Sequence, residues 1–259
     1  MRHLIIFLLV FAFSGCSLIG SRDDEDETLN WSADDFYTQA KAALDSGAYD
    51  EAVELYQKLE TRYPFGVHAQ QALLDLSYAY YKNDEPEASI AACDRFIKLY
   101  PQNKHVDYAY YLKGLVNFNK GKGITQRYLP TDESQRDPGA SQEAFESFSD
   151  LVKRFPDSEY VADAEQRMRY LRNILAKHEV HVANYYMRRG AFVAAVNRAR
   201  FVVENYPRTP AVPDALAVLA KAYRILEMDD LSDDAIRVLQ LNYPNHPGVY
   251  EAKNVNIKE

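Results

Sequence analysis

Cysteine is almost missing: the 259 residues hold two, Cys16 and Cys93. That excludes a fold stapled by several disulfides. Long apolar runs are also missing. Residues 4–13 form a run of ten, and a bilayer-spanning helix needs about 20. Basic residues are in deficit, 30 against 38 acidic for a net charge of -8, which argues against nucleic acid and against broad adhesion to anionic lipid. The period-two alternation of half-buried strands is absent, so an all-helical fold is expected. No phosphate-binding glycine loop, nucleophile elbow or dinucleotide fingerprint appears. His178 and His181, with Glu179 between them, are three residues apart. Two zinc ligands on one helix face with a base between them need four, so no metal site and no catalytic residue is expected.

What is present is a recurring mark. An aromatic-proline pair is followed, eight residues after the proline, by an alanine: Tyr63-Pro64 with Ala72, Tyr100-Pro101 with Ala109, Phe155-Pro156 with Ala164, Tyr206-Pro207 with Ala215, Tyr243-Pro244 with Ala252. Proline cannot continue a helix, so each pair ends one unit and announces the next. Small residues recur inside the units at Ala40, Ala52, Ser77, Gly114, Ala144, Ala183, Ala195 and Ala220, with turn glycines at Gly47 and Gly190, each 17 residues before a proline.

The proline spacings are 37, 55, 51 and 37. In the third unit the extra residues fall at 122–139, a polar stretch with two glycines and two prolines, expected to be an exposed loop. In the fourth, residues 161–189 contain neither proline nor glycine, so the first helix is expected to be about four turns longer than its neighbours. A ragged turn through residues 229–232 and a short second helix are expected in the fifth unit, with a short helix from Val249. Ser32 with Asp35 reads as a capping pair, and Trp31 as its staple.

The first residues read separately. Arg2, the apolar run and Ser14-Gly15-Cys16 resemble a bacterial lipoprotein signal, although Phe13 stands where leucine is usual. The resemblance implies a signal over 1–15, N-acyl and diacylglycerol lipid on Cys16 as the sole covalent addition, and, from Ser17 in place of Asp, anchorage in the outer membrane facing the periplasm. Residues 16–31 form an acidic tether. Taking Arg2 from the 30 basic residues leaves 29 against 38 acidic, a formal charge of -9. Cys93, in Ala91-Ala92-Cys93, is expected to be a small buried hydrophobe.

The unit spacing resembles the tetratricopeptide repeat, implying a solenoid of five helix-turn-helix units over 32–259. In that repeat the concave face is lined by the second, fifth, ninth and twelfth residues of each first helix. Here these are Asp34, Tyr37, Lys41 and Leu44; Gln71, Leu74, Tyr78 and Tyr81; Tyr108, Tyr111, Leu115 and Phe118. Six aromatic residues (Tyr37, Tyr78, Tyr81, Tyr108, Tyr111, Phe118) are thus expected to face one concavity and suit an extended peptide.

Together with Arg62-Tyr63-Pro64-Phe65-Gly66, Tyr80-Tyr81-Lys82-Asn83, Asp94-Arg95-Phe96-Ile97, Arg136-Asp137-Pro138 and Val196-Asn197-Arg198, these features resemble the BamD (ComL) family of the outer-membrane β-barrel assembly machinery. The resemblance covers the whole mature chain. It implies a non-enzymatic scaffold whose N-terminal repeats receive C-terminal signals of unfolded outer-membrane β-barrel proteins. Its C-terminal repeats, Arg198 among them, would contact the barrel subunit BamA and companion lipoproteins. Two rival readings are a peptidoglycan-associated repeat lipoprotein and a cell-wall hydrolase.

Overall fold

A computed structural model of the protein describes residues 28–120 and 132–253. The signal segment, Cys16, most of the tether and residues 121–131 of the insert lie outside the described residues. Among the described residues there is no strand. Five helical hairpins follow one another: α1 (Ala33–Ser46) with α2 (Tyr49–Arg62), α3 (Ala69–Lys82) with α4 (Pro86–Leu99), α5 (Val106–Asn119) with α6 (Gly139–Arg154), α7 (Val161–Arg188) with α8 (Phe192–Asn205), and α9 (Val212–Ile225) with α10 (Asp229–Asn242). A short helix, α11 (Gly248–Lys253), packs on α9. Each helix packs on the next in sequence, and α1 on α3, α3 on α5 and α7 on α9 stack successive hairpins.

The aromatic-proline marks end the second helices as expected. Residues before a proline are held out of the helical region, and each aromatic is the C-cap, with φ between -120° and -138°. Its amide still bonds the carbonyl four residues back, as Tyr63 does to Leu59 at 2.8 Å. The alanine eight residues on then falls in the buried first turn of the next helix: Ala109, Ala164 and Ala215 are fully buried, Ala72 nearly so. At the start of the stack Ser32 and Asp35 form a reciprocal capping box, and the Trp31 ring packs edge-on against Phe36, 5.2 Å between centroids.

Within each hairpin the helices cross on a pair of small residues, all buried: Ala40 and Ala52, Ser77 and Ser89, Gly114 and Ala144, Ala183 and Ala195, Ala220 and Ser232. Two of these crossings carry a hydrogen bond. Ser89 Oγ donates to the Ser77 carbonyl at 2.7 Å, and Ser232 Oγ to that of Ala220 at 2.9 Å. At Gly114 even a methyl group is excluded, because a Cβ there would sit 2.5 Å from the Phe148 ring.

The hairpin turns share one geometry. The residue 17 before the proline adopts positive φ in four units: Gly47 (84°), Asp84 (61°), Gly190 (73°) and Glu227 (60°). The next amide reaches back five residues in each: Ala48 to Ala43, Glu85 to Tyr80, Ala191 to Tyr186 and Met228 to Tyr223, at 2.9–3.0 Å. This is a Schellman closure, which ties off the helix's last carbonyls. It corrects the expectation for the fifth unit. Its turn is not ragged: Glu227 takes the glycine's place, and α10 starts at Asp229 with the same 14 residues as α8. Asp229 and Asp230 suit the positive end of the helix dipole, and Arg224 donates to Asp229 at 2.6 Å and to Asp233 at 2.5 Å.

The long first helix of the fourth unit is as expected, 28 residues without a break. The insert is not simply an exposed loop. Its described part forms a 3-10 turn, Glu133–Gln135, docked on α7 with Ser134 fully buried.

Cys93 is fully buried, and burial pushes its thiol up to about 12. We expect a thiol reagent such as DTNB to label it in the native protein only at the unfolding rate; fast labelling would contradict the packing. The turns yield a second expectation. A non-glycine residue in the left-handed region costs about 1–2 kcal/mol, partly offset by glycine's unfolded-state entropy. Glu227→Gly and Asp84→Gly should therefore each stabilise by about 0.5–1 kcal/mol in urea unfolding. Gly190→Ala, with open space around its Cβ, should cost about 1 kcal/mol. The opposite signs would mean that these turns are not held as described.

Candidate functional site

The first helices of the first three hairpins frame a cavity of about 450 Å³. Lys41 and Leu44 line it from α1, Gln71, Leu74 and Tyr78 from α3, and Tyr108 from α5, with His105 and Tyr160 closing it from the turns. These six helix residues stand at positions expected to line the concave face, whereas Asp45, Tyr49 and Asp75, which also line the cavity, do not. Among the described residues the hydroxyls of Tyr78 and Tyr108 donate to no protein group.

The six aromatics do not all share this cavity, which corrects the expectation of a single aromatic concavity. Tyr37 and Tyr111 are drawn into a repeated interlock. The N-cap residue of the following hairpin stacks on each: His68 on Tyr37 at 4.4 Å and Tyr160 on Tyr111 at 4.6 Å. Each phenol donates to a carboxylate, Tyr37 to Asp75 Oδ2 at 3.1 Å and Tyr111 to Asp163 Oδ2 at 2.7 Å. Burial, reinforced by those carboxylates, pushes both phenols up to about 12, so they stay neutral donors. Tyr81 lies 6.3 Å from Tyr78 and accepts from Asn119 Nδ2 at 2.7 Å. Phe118 packs edge-on to Phe148 and Tyr170 under the Arg167 guanidinium, away from the cavity. The positions along the helices locate the stripe, but not the N-caps of following hairpins that cover two of its six aromatics.

The cavity wall holds a carboxylate that the sequence did not single out. Asp75 accepts from Tyr37, from Tyr56 at 3.2 Å and from Gln71 at 2.8 Å. Burial raises its pKa, and the three neutral donors and distant Lys41 only partly oppose that. Lys41 is tied to Asp45 at the rim. The surface offers phenol hydroxyls, apolar rings and one lysine, with no nucleophile poised by a base, and no metal-holding cluster occurs among the described residues.

The other expected residues fall elsewhere. Arg198, half exposed on α8, donates from Nη1 to Glu179 Oε2 at 3.1 Å. Val193 and Phe201 on the same helix, and Leu231, Val238 and Leu241 on α10, expose apolar side chains. The two histidines of the long helix clamp the insert: Ser134 lies between them, its carbonyl 2.9 Å from His178 Nδ1 and its hydroxyl 3.0 Å from His181 Nε2. Lys177 donates to Asp132 at 2.7 Å, and Tyr170 to Glu133 at 2.9 Å.

Residues 30–239 match the family model YfiO, described as outer membrane lipoprotein. Over 95% of the chain and 92% of the relative, the sequence is 44% identical to the outer membrane protein assembly factor BamD of Neisseria meningitidis serogroup B. The chain belongs to the BamD family. The BamD of Xylella fastidiosa (strain Temecula1) is 36% identical over 95% of this chain and 83% of its own, and that of Vibrio cholerae 35% over 87% and 93%. BamD-family membership makes the protein an outer-membrane-associated, non-enzymatic scaffold.

Hydrogen bonds from Lys177 and then Ser134 hold Asp132 well below the usual carboxylate range. A lowered folded-state pKa contributes stability that is complete above the unfolded value, near pH 4, and is lost as the pH falls below it. Hydrogen exchange should therefore show the amides of 134–136 exchanging faster relative to those of α7 in Asp132→Asn, or in the wild type below about pH 4. Unchanged protection would show that the histidine contacts and the Tyr170–Glu133 bond hold the turn without the Asp132 carboxylate.

Proposed function

We propose that the protein assists assembly and insertion of β-barrel proteins into the outer membrane, held at the periplasmic side by lipid on Cys16. In this reading the cavity between α1, α3 and α5 receives the C-terminal segment of an unfolded barrel protein. The C-terminal hairpins dock BamA and companion lipoproteins, with Arg198 at the contact. The names of the relatives support the assembly role. The observation that carries the binding mode is the open cavity edged by Tyr78 and Tyr108, whose hydroxyls have no protein partner among the described residues.

The physics of the groove suits an extended chain. Tyrosines bring large apolar area at low entropic cost and a polar tip that can bond a peptide backbone. The neighbouring stacks at Tyr37 and Tyr111 fix the walls, so little ordering remains on binding. For the second surface, a half-exposed arginine on a helix that also exposes Phe201 and Val193 brings together residue types that concentrate binding energy at interfaces.

The test is calorimetric titration with a synthetic peptide of a barrel protein's C-terminal strand. Tyr78→Ala with Tyr108→Ala should weaken binding at least tenfold, about 1.4 kcal/mol, at unchanged helicity. Tyr111→Ala should act through stability, because its hydroxyl and ring are already engaged within the chain. Equal affinity for the double variant and wild type would remove the groove from the reading. Retention on purified peptidoglycan in preference to the peptide would favour a cell-wall attachment role instead.

A further inference from the structure

On the outer face a second cavity, of about 500 Å³, lies between α4, α5 and α6. Its apolar lining is Ile90 and Ile97 from α4 and Tyr110 from α5. Asn117 also lines it, and this side chain is anomalous. The residue is 2% exposed, yet its Oδ1 has no hydrogen-bond partner among the described residues. Buried polar atoms are nearly always paired, because an unmet acceptor loses its water without replacement. Asn117 lines the cavity while its acceptor is buried, so a turn of the amide presents that oxygen to a donor from outside the chain.

The charge around it says which donor. Glu143, Glu146 and Asp150 occupy one face of α6 at intervals of three and four, all exposed and all lining the cavity. None of the three has a cationic partner among the described residues. The cation in the lining, Lys113, is already bound to Asp94 at 2.6 Å. The cavity thus presents a surplus of negative charge, an apolar floor and one buried acceptor. No metal-holding cluster of carboxylates is formed among the described residues, which disfavours a bare cation. An arginine side chain meets all three features. Its methylene stem covers the apolar floor, and its planar head has five donors, able to serve an amide oxygen and a carboxylate at once. A lysine ammonium is a compact, strongly hydrated point charge and fits a half-apolar slot less well.

We propose that this outer-face cavity is a docking site for an arginine side chain of a partner protein, with Asn117 Oδ1 as the buried acceptor and Glu143, Glu146 and Asp150 as the attracting face. It is separate from the Tyr78 and Tyr108 cavity and does not depend on the peptide reading of that groove.

The experiment titrates the full-length protein in detergent with the probe acetyl-Gly-Arg-Gly-amide, followed by calorimetry and by the side-chain amide resonances of Asn117. We expect a saturable shift at Asn117, at least tenfold weaker binding of the lysine version, and no binding of the citrulline version, which has the shape without the charge. Asn117→Leu should weaken the arginine probe at least tenfold while leaving the thermal midpoint equal or higher, since it removes an unmet acceptor. Glu146→Gln with Asp150→Asn, both on the surface, should weaken it as well and serves if the Asn117 variant does not fold. The proposal is overturned by an unmoved Asn117 resonance, by equal binding of the lysine probe, or by unchanged affinity in the surface double variant.

Discussion

Each hairpin depends on two backbones crossing with nothing larger than a methyl or hydroxymethyl group between them. The constraint is tightest where α5 meets α6, because any side chain at Gly114 would collide with the Phe148 ring. Close crossing brings many atom pairs into contact at once, and the dispersion gained is collective, so the position tolerates no enlargement. The serines at two crossings show the same constraint handled differently. Ser89 and Ser232 are admitted where a carbonyl of the facing helix lies within 2.7–2.9 Å to accept the hydroxyl proton, and Ser77 donates within its own helix to the Leu74 carbonyl at 2.6 Å. A buried serine without that carbonyl would cost more than the alanine it replaces.

Because the crossings fix how far each hairpin advances, they also fix what the next hairpin covers. The N-cap of α3 arrives over Tyr37 and that of α7 over Tyr111, and ring stacking locks both joints. Two of the six aromatics of the stripe are thereby used to join hairpins, while Tyr78 and Tyr108 edge an open cavity. The same geometry explains the long helix. With twice the residues of the other hairpins' first helices, α7 extends far enough to hold the 133–135 turn through Lys177, His178 and His181.

What was legible in the sequence had local causes. The aromatic-proline marks, the small crossing residues and the glycines each reflect a steric rule acting within a few residues, so they recur at fixed spacing and can be read along the chain. Asp84 and Glu227 escaped because left-handed backbone only favours glycine; a cost of about 1–2 kcal/mol can be borne where the closing hydrogen bonds are good. At the described end of the insert the docking escaped notice because polarity describes a segment, whereas docking depends on histidines some 45 residues away that no local rule connects to it. Within the groove, the counted positions located the stripe but not its occupancy, which is set by another hairpin's N-cap. Asp75 and Asn117 gave no signal at all, since a polar residue on a helix reads as solvated until its neighbours are known.

The chain's shortage of basic residues acquires a location once its ion pairs are placed. On α10 three of the four aspartates are matched: Asp229 and Asp233 by Arg224, and Asp234 by Arg237. In the second hairpin Asp94 holds Lys113 and Glu87 holds Lys120, while Arg95 reaches Glu60. These exposed pairs contribute little to stability individually, but they cancel charge where they stand. On α6 the cancellation stops at Glu143, Glu146 and Asp150, beside the one buried oxygen that lacks a donor among the described residues. Uncompensated charge dispersed over a surface keeps a protein soluble. Gathered on one helix face around an unmet acceptor, it carries a direction and selects a cationic donor.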